Sequence, residues 1–205
     1  MLYVRCEKNS GPTGSEDETD NTDTMVVRKP NIYLYPENGQ ELTIRLIFPS
    51  GGNVIESVPE YGTGWDIYVD PSGLIDNQYE FLFYEAETPN HYQSSKGWLV
   101  TGDTLQTFFE MNMSACGFNQ IEIKDFTDYW IPILDPDLDY IIYPQFKENI
   151  DPIITLDLSV EPENILRLFY VIKGHSGNSV KFEEPVIQPF ERVGFAVTEW
   201  GIILK

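Results

Sequence analysis

The chain has 205 residues, 41% of them hydrophobic and 14% aromatic, which is enough to build the core of one domain of ordinary size. Its formal net charge is −20, and the first 28 residues contain only six of the 33 acidic residues, so the acidity belongs mostly to the rest of the chain. A surface this acidic repels phosphate backbones and anionic lipid head groups, so we exclude nucleic-acid binding.

The N-terminal segment has the composition of a flexible tail. Residues 7–24 read EKNSGPTGSEDETDNTDT and contain no aromatic or aliphatic residue. Because this stretch cannot bury enough apolar surface to offset the entropy lost on ordering, we predict a disordered acidic tail over residues 1–28 and a single globular domain over 29–205. Cys6 before a polar spacer is typical of a lipid-anchored protein, so Cys6 is a candidate lipidation site and the only predicted link to a membrane. Arg5 departs from the small residue that usually precedes such a cysteine.

The first predicted strands follow this tail. Asn31–Tyr35 lies between Pro30 and Pro36, and because proline cannot donate to a central ladder, we interpret this run as the first strand of the domain rather than a site. Apolar residues then alternate over Leu42–Phe48, which predicts a strand with one buried face. After a turn at 49–53, we expect Val54–Ser57 to return as its hairpin partner.

Further strands are predicted along the rest of the chain. Trp65–Val69 alternates and ends at a turn, whereas Tyr79–Glu85 (YEFLFYE) is apolar on both faces and is typical of a central strand covered on both sides. Residues rich in β-branched and aromatic side chains predict three late strands, at Ile154–Val160, Ile165–Lys173 and Arg192–Leu204.

One segment has a helical pattern instead. Apolar residues within Asp103–Gly117 recur at helical spacing, with Asp103 as a capping residue and Gly117 as the stop. A second helix is predicted from Asn119 to about Asp128, with Glu122 three residues after its start, followed by a strand over Tyr129–Leu134. The predicted fold class is therefore β-rich α+β, with mainly antiparallel, sandwich-like sheets and a short helical pair inserted around 103–128.

The sequence resembles an uncharacterised bacterial family with a KPxIYLYP signature, many of whose members carry secretion or lipoprotein signals. The signature matches Lys29–Pro36, and further family-like segments follow in the same order: YGTGW at 61–65, YEFLFYE at 79–85, KGWLV at 96–100, DFTDYWIP at 125–132, RLF at 167–169 and GFAVTEWG at 194–201. The resemblance implies an extracytoplasmic β-rich domain, with a cytoplasmic location as the alternative, and it implies no activity.

The carboxylates in the predicted strands are candidates for chemistry or for ion pairs. Glu199 shares a strand face with Phe195 and Val197, and Arg167 shares one with Phe169 and Val171, so both charges are expected to point inward. We therefore predict a buried ion pair of Arg167 with Glu199 or Glu85. Charges exposed at the rim of the sheets, or a catalytic carboxylate pair, are the alternatives.

The aromatic residues are candidates for ligand contacts. Tryptophans near strand ends, beside glycine, proline or acidic residues, are typical of β-sandwich modules that stack on sugars, although each can equally be core. The candidate binding residues are Tyr61, Trp65, Glu85, Trp98 and Trp200.

No metal, cofactor or nucleophile site is predicted. Asp135–Asp139 begins like a calcium loop but lacks the glycine and glutamate that such a loop needs, so a hairpin turn is the better interpretation. His91 and His175 lie in probable loops, without a second histidine or cysteine at ligand spacing. Gly174-His-Ser-Gly177 is not a nucleophile elbow, and Cys116 falls on a helix face.

These patterns favour a non-enzymatic, cell-surface module that binds a glycan or a protein. A glycosidase-like hydrolase using Glu85 and Glu199 is the second hypothesis, and it requires both carboxylates to face one open cleft. A structural spacer in an envelope assembly is the third. The sequence predicts no oligomeric state.

Overall fold

The computed structural model describes residues 23–177 and 182–205. Within these ranges the chain forms ten strands, three α-helices and a short 3₁₀ helix at Gly102–Thr104. The strands are β1 (Thr24–Tyr35), β2 (Gln40–Ile47), β3 (Asn53–Val58), β4 (Trp65–Val69), β5 (Leu82–Pro89), β6 (Trp98–Thr101), β7 (Asp139–Phe146), β8 (Thr155–Leu158), β9 (Asn164–His175) and β10 (Ala196–Leu204). The helices are α1 (Leu105–Cys116), α2 (Gln120–Trp130) and the single turn α3 (Lys147–Ile150).

The strands form two sheets. The large sheet has seven strands in the order β3-β5-β1-β10-β9-β7-β6, and the small sheet has three in the order β4-β2-β8. All neighbouring strands are antiparallel except β9 and β10, which run parallel and therefore need a long crossover between His175 and Ala196. The predicted β-rich α+β class, with mostly antiparallel sheets and a short helical pair, is confirmed.

Two hydrophobic cores divide the domain into three layers. Ile32 and Leu34 of β1 lie in the core between the two sheets, whereas Tyr33 lies in the core between the large sheet and the pair α1–α2. This division follows from the pleat of a strand, since successive side chains point to opposite faces. The large sheet is thus covered by the small sheet on one face and by two helices on the other. No helix in the described ranges is long and apolar enough to cross a lipid bilayer.

Strand β1 is longer than the sequence predicts. It begins at Thr24, so residues 24–28 belong to the sheet and the domain starts before Lys29. Pro30 lies inside β1, where the pairing register with both neighbouring strands shifts. The proline is tolerated there because a bulge interrupts the ladder and removes the need for its missing N–H. The remainder of the predicted tail, with Cys6, lies outside the described residues.

The helical pair follows most of the predicted signals. Gly117 ends α1 in the left-handed conformation at φ 104°, and Asn119 caps α2 in a capping box with Glu122. Asp103 does not cap α1; it accepts a hydrogen bond from Thr101 Oγ1 at 2.6 Å. The strand predicted over 129–134 is wrong, because Trp130 is buried one helical turn after Phe126 and so extends α2.

Three strand predictions are corrected by the sheet topology. Strand β3 pairs with β5 in the large sheet and not with β2 as a hairpin. The turn before it packs closely on β5, since a Cβ on Gly52 would lie 2.4 Å from the Glu87 carbonyl oxygen. Strand β5 is second from the edge rather than central, and the segment 135–138 links α2 to β7 rather than two strands.

Candidate functional site

Arg167 and Glu199 lie on the adjacent parallel strands β9 and β10 and form an ion pair with both side chains fully buried. Arg167 Nε donates to Glu199 Oε2 at 2.5 Å, and Tyr84 Oη donates to the other carboxylate oxygen at 2.8 Å. Arg167 Nη1 also donates to Asp151 Oδ1 at 2.8 Å and to the Ile154 carbonyl at 2.5 Å. A buried pair persists only with such additional hydrogen bonds, so this cluster is a structural network between the two sheets.

The protonation of this network follows from its burial. Burial has the largest effect on the pKa of Arg167 and lowers it, but the charges of Glu199 and Tyr84 and the hydrogen bonds to Glu199 and Asp151 together outweigh burial. The pKa of Arg167 therefore lies above its usual value. Burial and the charge of Glu199 raise the pKa of the Tyr84 phenol well above its ordinary value. Arg167 therefore stays cationic and Tyr84 stays a neutral hydrogen-bond donor at physiological pH.

Glu85 and Glu199 do not share a cleft. Tyr84 reaches Glu199 on the face of the large sheet that packs against the small sheet, so its neighbour Glu85 points to the opposite face. There Glu85 lies 3.9 Å from Arg28 and is partly exposed. The geometry required for the glycosidase-like hydrolase is therefore absent, and Glu199 is fully engaged with Arg167.

The predicted aromatic binding residues are scattered over the fold. Trp65 lies in the core between the sheets, where its ring contacts Tyr61 edge-on at 4.8 Å and its Nε1 donates to the Pro59 carbonyl at 2.9 Å. Trp200 is fully buried in the other core, on the opposite face of the large sheet. Trp98 is half-buried on the edge strand β6. These side chains do not form one surface on which a sugar can stack.

The acidic segment at 135–139 and Cys116 have structural roles in the fold. Asp135 Oδ1 accepts from the amide of Asp137 at 2.9 Å, which forms a turn. Within residues 23–177 and 182–205, no three His, Cys, Asp or Glu side chains are grouped closely enough to hold a metal ion. Cys116 is buried, and burial raises the pKa of its thiol to about 12, so the thiol is unreactive at neutral pH.

The segment that the structure singles out is the run interpreted above as the first strand. Tyr33 and Tyr35 of β1 point towards the helices, and their hydroxyls bond carboxylates of α2. Tyr33 Oη donates to Asp125 Oδ2 at 2.9 Å, and Tyr35 Oη donates to Glu122 Oε1 at 2.7 Å. Burial is the largest of the effects that raise the pKa of both phenols, so each tyrosine remains a neutral donor that fixes α2 on the sheet.

Glu122 joins α2 to three other parts of the fold. Besides Tyr35, it accepts hydrogen bonds from the backbone of Asn119 at 2.8 Å, from Thr198 Oγ1 at 2.6 Å and from Arg192 Nη2 at 2.5 Å. The carboxylate itself is fully buried. The start of α2 is therefore positioned against β1, β10 and the crossover, and this fixes the rings of the two tyrosines.

A groove opens beside these tyrosines. This tyrosine groove has a volume of about 240 Å³ and is lined by Tyr33, Tyr35, Ser72, Gly73, Leu74, Glu80, Asn119 and Ile121. The Ile121 side chain at its rim is 64% exposed, which is a large apolar exposure for the first turn of a helix. Gly73 approaches Tyr35 so closely that a Cβ would lie 3.4 Å from the ring, so the 72–74 turn forms one wall of the groove.

A cage of aromatic rings adjoins the groove. We define the aromatic cage as Phe81, Phe83 and Tyr129; the Lys29 ammonium lies 5.3, 4.4 and 5.2 Å from their respective ring centroids. These distances are within the range of cation–π attraction. Burial lowers the pKa of Lys29, and the nearby charges of Asp125, Glu85 and Glu56 oppose this effect. The cage is therefore a cation site with an acidic rim, occupied by a lysine of the same chain.

Backbone strain and unpaired polar atoms occur beside the cage. Lys29 has φ 53°, a left-handed conformation that is costly for a non-glycine residue and more so before proline. Among the described residues, four buried side-chain atoms have no hydrogen-bond partner: Asn31 Oδ1, Trp130 Nε1, Arg167 Nη2 and Trp200 Nε1. Asn31 and Trp200 are cross-strand neighbours next to the cage. Strain and unpaired atoms are unfavourable to folding and cluster at functional sites, so their coincidence with the cation site makes this face a candidate site.

Other concavities have less specific linings. A wider one, about 600 Å³, lies over the exposed face of the small sheet and is open and mostly polar. Two smaller ones, about 350 and 190 Å³, adjoin beneath residues 185–190 of the crossover. The second is lined by the buried Arg167, whose Nη2 has no hydrogen-bond partner among the described residues, but no lining residue of either has a left-handed backbone other than glycine. The tyrosine groove and the aromatic cage are therefore the candidate functional site.

Sequence reasoning missed this site for an identifiable reason. The run Asn31–Tyr35 is predicted only as the first strand of the domain, although tyrosine hydroxyls on one face of a strand need polar partners when buried. The partners, Asp125 and Glu122, lie on a helix some 90 residues later, and only the topology brings them together. The one available signal was Lys29-Pro30 at the start of the run, because a proline inside a strand indicates a bulge.

No family model matches the chain, and no curated protein or solved structure is significantly similar to it.

Proposed function

We propose that this chain is a non-enzymatic binding domain that captures a peptide or protein segment in the tyrosine groove. The observation that carries the proposal is the pair of tyrosines held in place by carboxylates of α2 beside an exposed isoleucine. Rings fixed before binding lose little entropy when a ligand arrives, so a small site of this kind can still bind usefully.

The size and chemistry of the groove favour an apolar side chain of a peptide as the ligand. Its volume, about 240 Å³, is smaller than the ~300–1,000 Å³ of pockets that enclose a drug-sized molecule. The Asn119 amide, the polar group best placed to recognise a sugar, is already engaged with Tyr35 and with two backbone amides. A glycan would therefore find few unpaired donors, whereas an aliphatic or aromatic side chain would be enclosed by rings and by Ile121.

The charge of the chain favours a basic partner. A net charge of −20 attracts cationic segments over a distance and accelerates their encounter with the domain. We propose a location outside the cytoplasm, with attachment through Cys6, on the basis of the family resemblance and the composition of residues 7–24. On this proposal the groove faces proteins of the cell envelope or of the surroundings.

Selection of peptides from a phage-displayed library against the chain tests this proposal, followed by affinity measurements on the selected peptides. We expect Ile121→Glu to weaken binding at least about fivefold, since loss of one well-packed apolar contact costs more than about 1 kcal/mol. Glutamate in the first turn of α2 also suits the helix dipole, so this variant should remain folded.

Met111→Glu is the matched control, because Met111 is 69% exposed on the other long helix and does not line the groove. Peptide binding should be unchanged in this variant. The proposal fails if the selected peptides bind Ile121→Glu as tightly as the unmodified chain. It also fails if only a glycan array, run in parallel, yields a ligand.

A further inference from the structure

The aromatic cage and the tyrosine groove lie along one side of α2. Ile121, Asp125 and Tyr129 are spaced by four residues, so they form one stripe on the helix, with the groove at one end and the cage at the other. Tyr33 contacts the stripe in the middle through Asp125, and the ring of Phe81 packs on Tyr33 at a centroid distance of 5.4 Å. The two features are therefore adjoining parts of one surface.

Lys29 occupies the cage under unfavourable conditions. It makes no ion pair in the part of the chain that the structure describes, although the charges of Asp125, Glu85 and Glu56 all act on it. Its backbone is in the left-handed region immediately before a proline. Nothing covalent or charge-paired holds the ammonium in the cage, and rotation of its flexible four-carbon stem is enough to remove it.

We propose that the aromatic cage is a binding site for a lysine or arginine side chain of the ligand, and that Lys29 occupies it as a displaceable internal competitor. Three rings and an acidic rim offer an incoming cation the attraction that Lys29 now uses. This inference rests on the proposed function, and it adds the chemistry of a second ligand position.

The spacing of the two positions follows from the geometry of the helix. Eight residues separate Ile121 from Tyr129, which corresponds to about 12 Å along the helix axis. An extended peptide covers this distance in about four residues, and side chains four apart lie on the same face of such a strand. The ligand is therefore expected to carry an apolar residue and a basic residue four positions apart.

The test uses a small cationic probe, Nα-acetyl-trimethyllysine amide, titrated into the whole chain and followed by the NMR shifts of residues 81–83 and 129. Lys29→Met should bind the probe at least about tenfold more tightly than the unmodified chain, because a tethered competitor acts at an effective concentration in the millimolar range. Lys29→Gln serves as a second variant if the methionine variant is unfolded.

Two further variants complete the experiment. Lys124→Met, which removes a 71%-exposed lysine from α2, should leave probe binding as in the unmodified chain. Adding Phe83→Leu to Lys29→Met should abolish the gain, because Phe83 is the ring nearest to the ammonium. The inference is overturned if the folded Lys29 variants bind the probe no better than the unmodified chain, or if Lys124→Met gives the same gain.

The two sets of experiments distinguish an incorrect role for the aromatic cage from an incorrect role for the tyrosine groove. Suppose that Ile121→Glu weakens peptide binding while the Lys29 variants bind the probe no better than the unmodified chain. The tyrosine groove is then the binding site, and the aromatic cage has only a structural role. If the probe binds while no peptide is selected, the cage is a cation site and the peptide-binding proposal is wrong.

Discussion

Arg167 links the large sheet to the turn that precedes β8 of the small sheet. Its side chain is fully buried, and it bonds Glu199 on one side and the 151–154 turn on the other. An ion pair in this setting is weak evidence of stability by itself, since the cost of removing two charges from water is large. Removal of one partner is strongly destabilising, because it leaves the other charge buried without compensation.

We therefore predict that Arg167→Met lowers the free energy of unfolding by about 3–5 kcal/mol. Glu199→Gln should cost less, because Asp151 still pairs with Arg167 and glutamine still accepts the hydrogen bond of Tyr84. The double variant should be less destabilised than the sum of the two single changes by about 1–3 kcal/mol, because each change removes the same interaction. Urea denaturation followed by circular dichroism measures all three.

Lys124→Met is the control for charge removal, since the Lys124–Asp128 pair on α2 is largely exposed. It should leave the urea midpoint unchanged, as exposed pairs contribute little. Equal stability of Arg167→Met and the unmodified chain would show that the buried network does not hold the sheets together.

Helix α2 packs on the large sheet and provides side chains to both parts of the candidate site. Its start is fixed by the capping box of Asn119 and Glu122, and its inner face buries Phe126 and Trp130 against the large sheet. The same helix provides Ile121 for the tyrosine groove and Tyr129 for the aromatic cage. The position of α2 on β1 therefore sets the shape of both parts of the candidate site.

Replacement of Glu122 should loosen this helix selectively. Glu122→Ala leaves the buried donors of Tyr35 and Thr198 without an acceptor and Arg192 without its partner, so we expect a cost of about 3 kcal/mol or more. Hydrogen exchange measured by mass spectrometry should show faster exchange over residues 119–130 than in the unmodified chain, while β9 and β10 remain protected.

Glu110→Ala on the exposed face of α1 is the matched control, because the side chain of Glu110 bonds only Gln106 within residues 23–177 and 182–205. It should leave exchange across α2 unchanged. Uniformly faster exchange across the whole domain in Glu122→Ala would contradict a local role and would show that α2 and the sheets unfold together.

At the scale of the whole molecule, the local patterns were readable and the long-range pairing was not. Alternation located most strands, and the Gly117 stop and the Asn119 capping box located the boundary between the two helices. The pairing of β3 with β5 could not be read in this way, because a strand's own residues do not identify its neighbour. The aromatic cage combines residues 29, 81, 83 and 129, and only the packing of α2 on β1 and β5 brings them together.

The layered arrangement explains why the candidate site lies where it does. The small sheet covers one face of the large sheet, whereas the two helices cover the other face incompletely, since residues 83, 85 and 87 of β5 on that face are partly buried or exposed. Phe81 and Phe83 are therefore half-buried at the margin of α2, beside Tyr33 and Lys29. A partner that binds at this margin would cover the apolar surface left exposed at the end of the helical layer.

The most direct test of this account is a hydrogen-exchange footprint of the unmodified chain with the tightest peptide selected against it. The account predicts slower exchange in residues 72–74 and 119–122, with no change in the small sheet. Protection confined to the exposed face of the small sheet or to the crossover at 185–190, with the tyrosine groove unchanged, would contradict it.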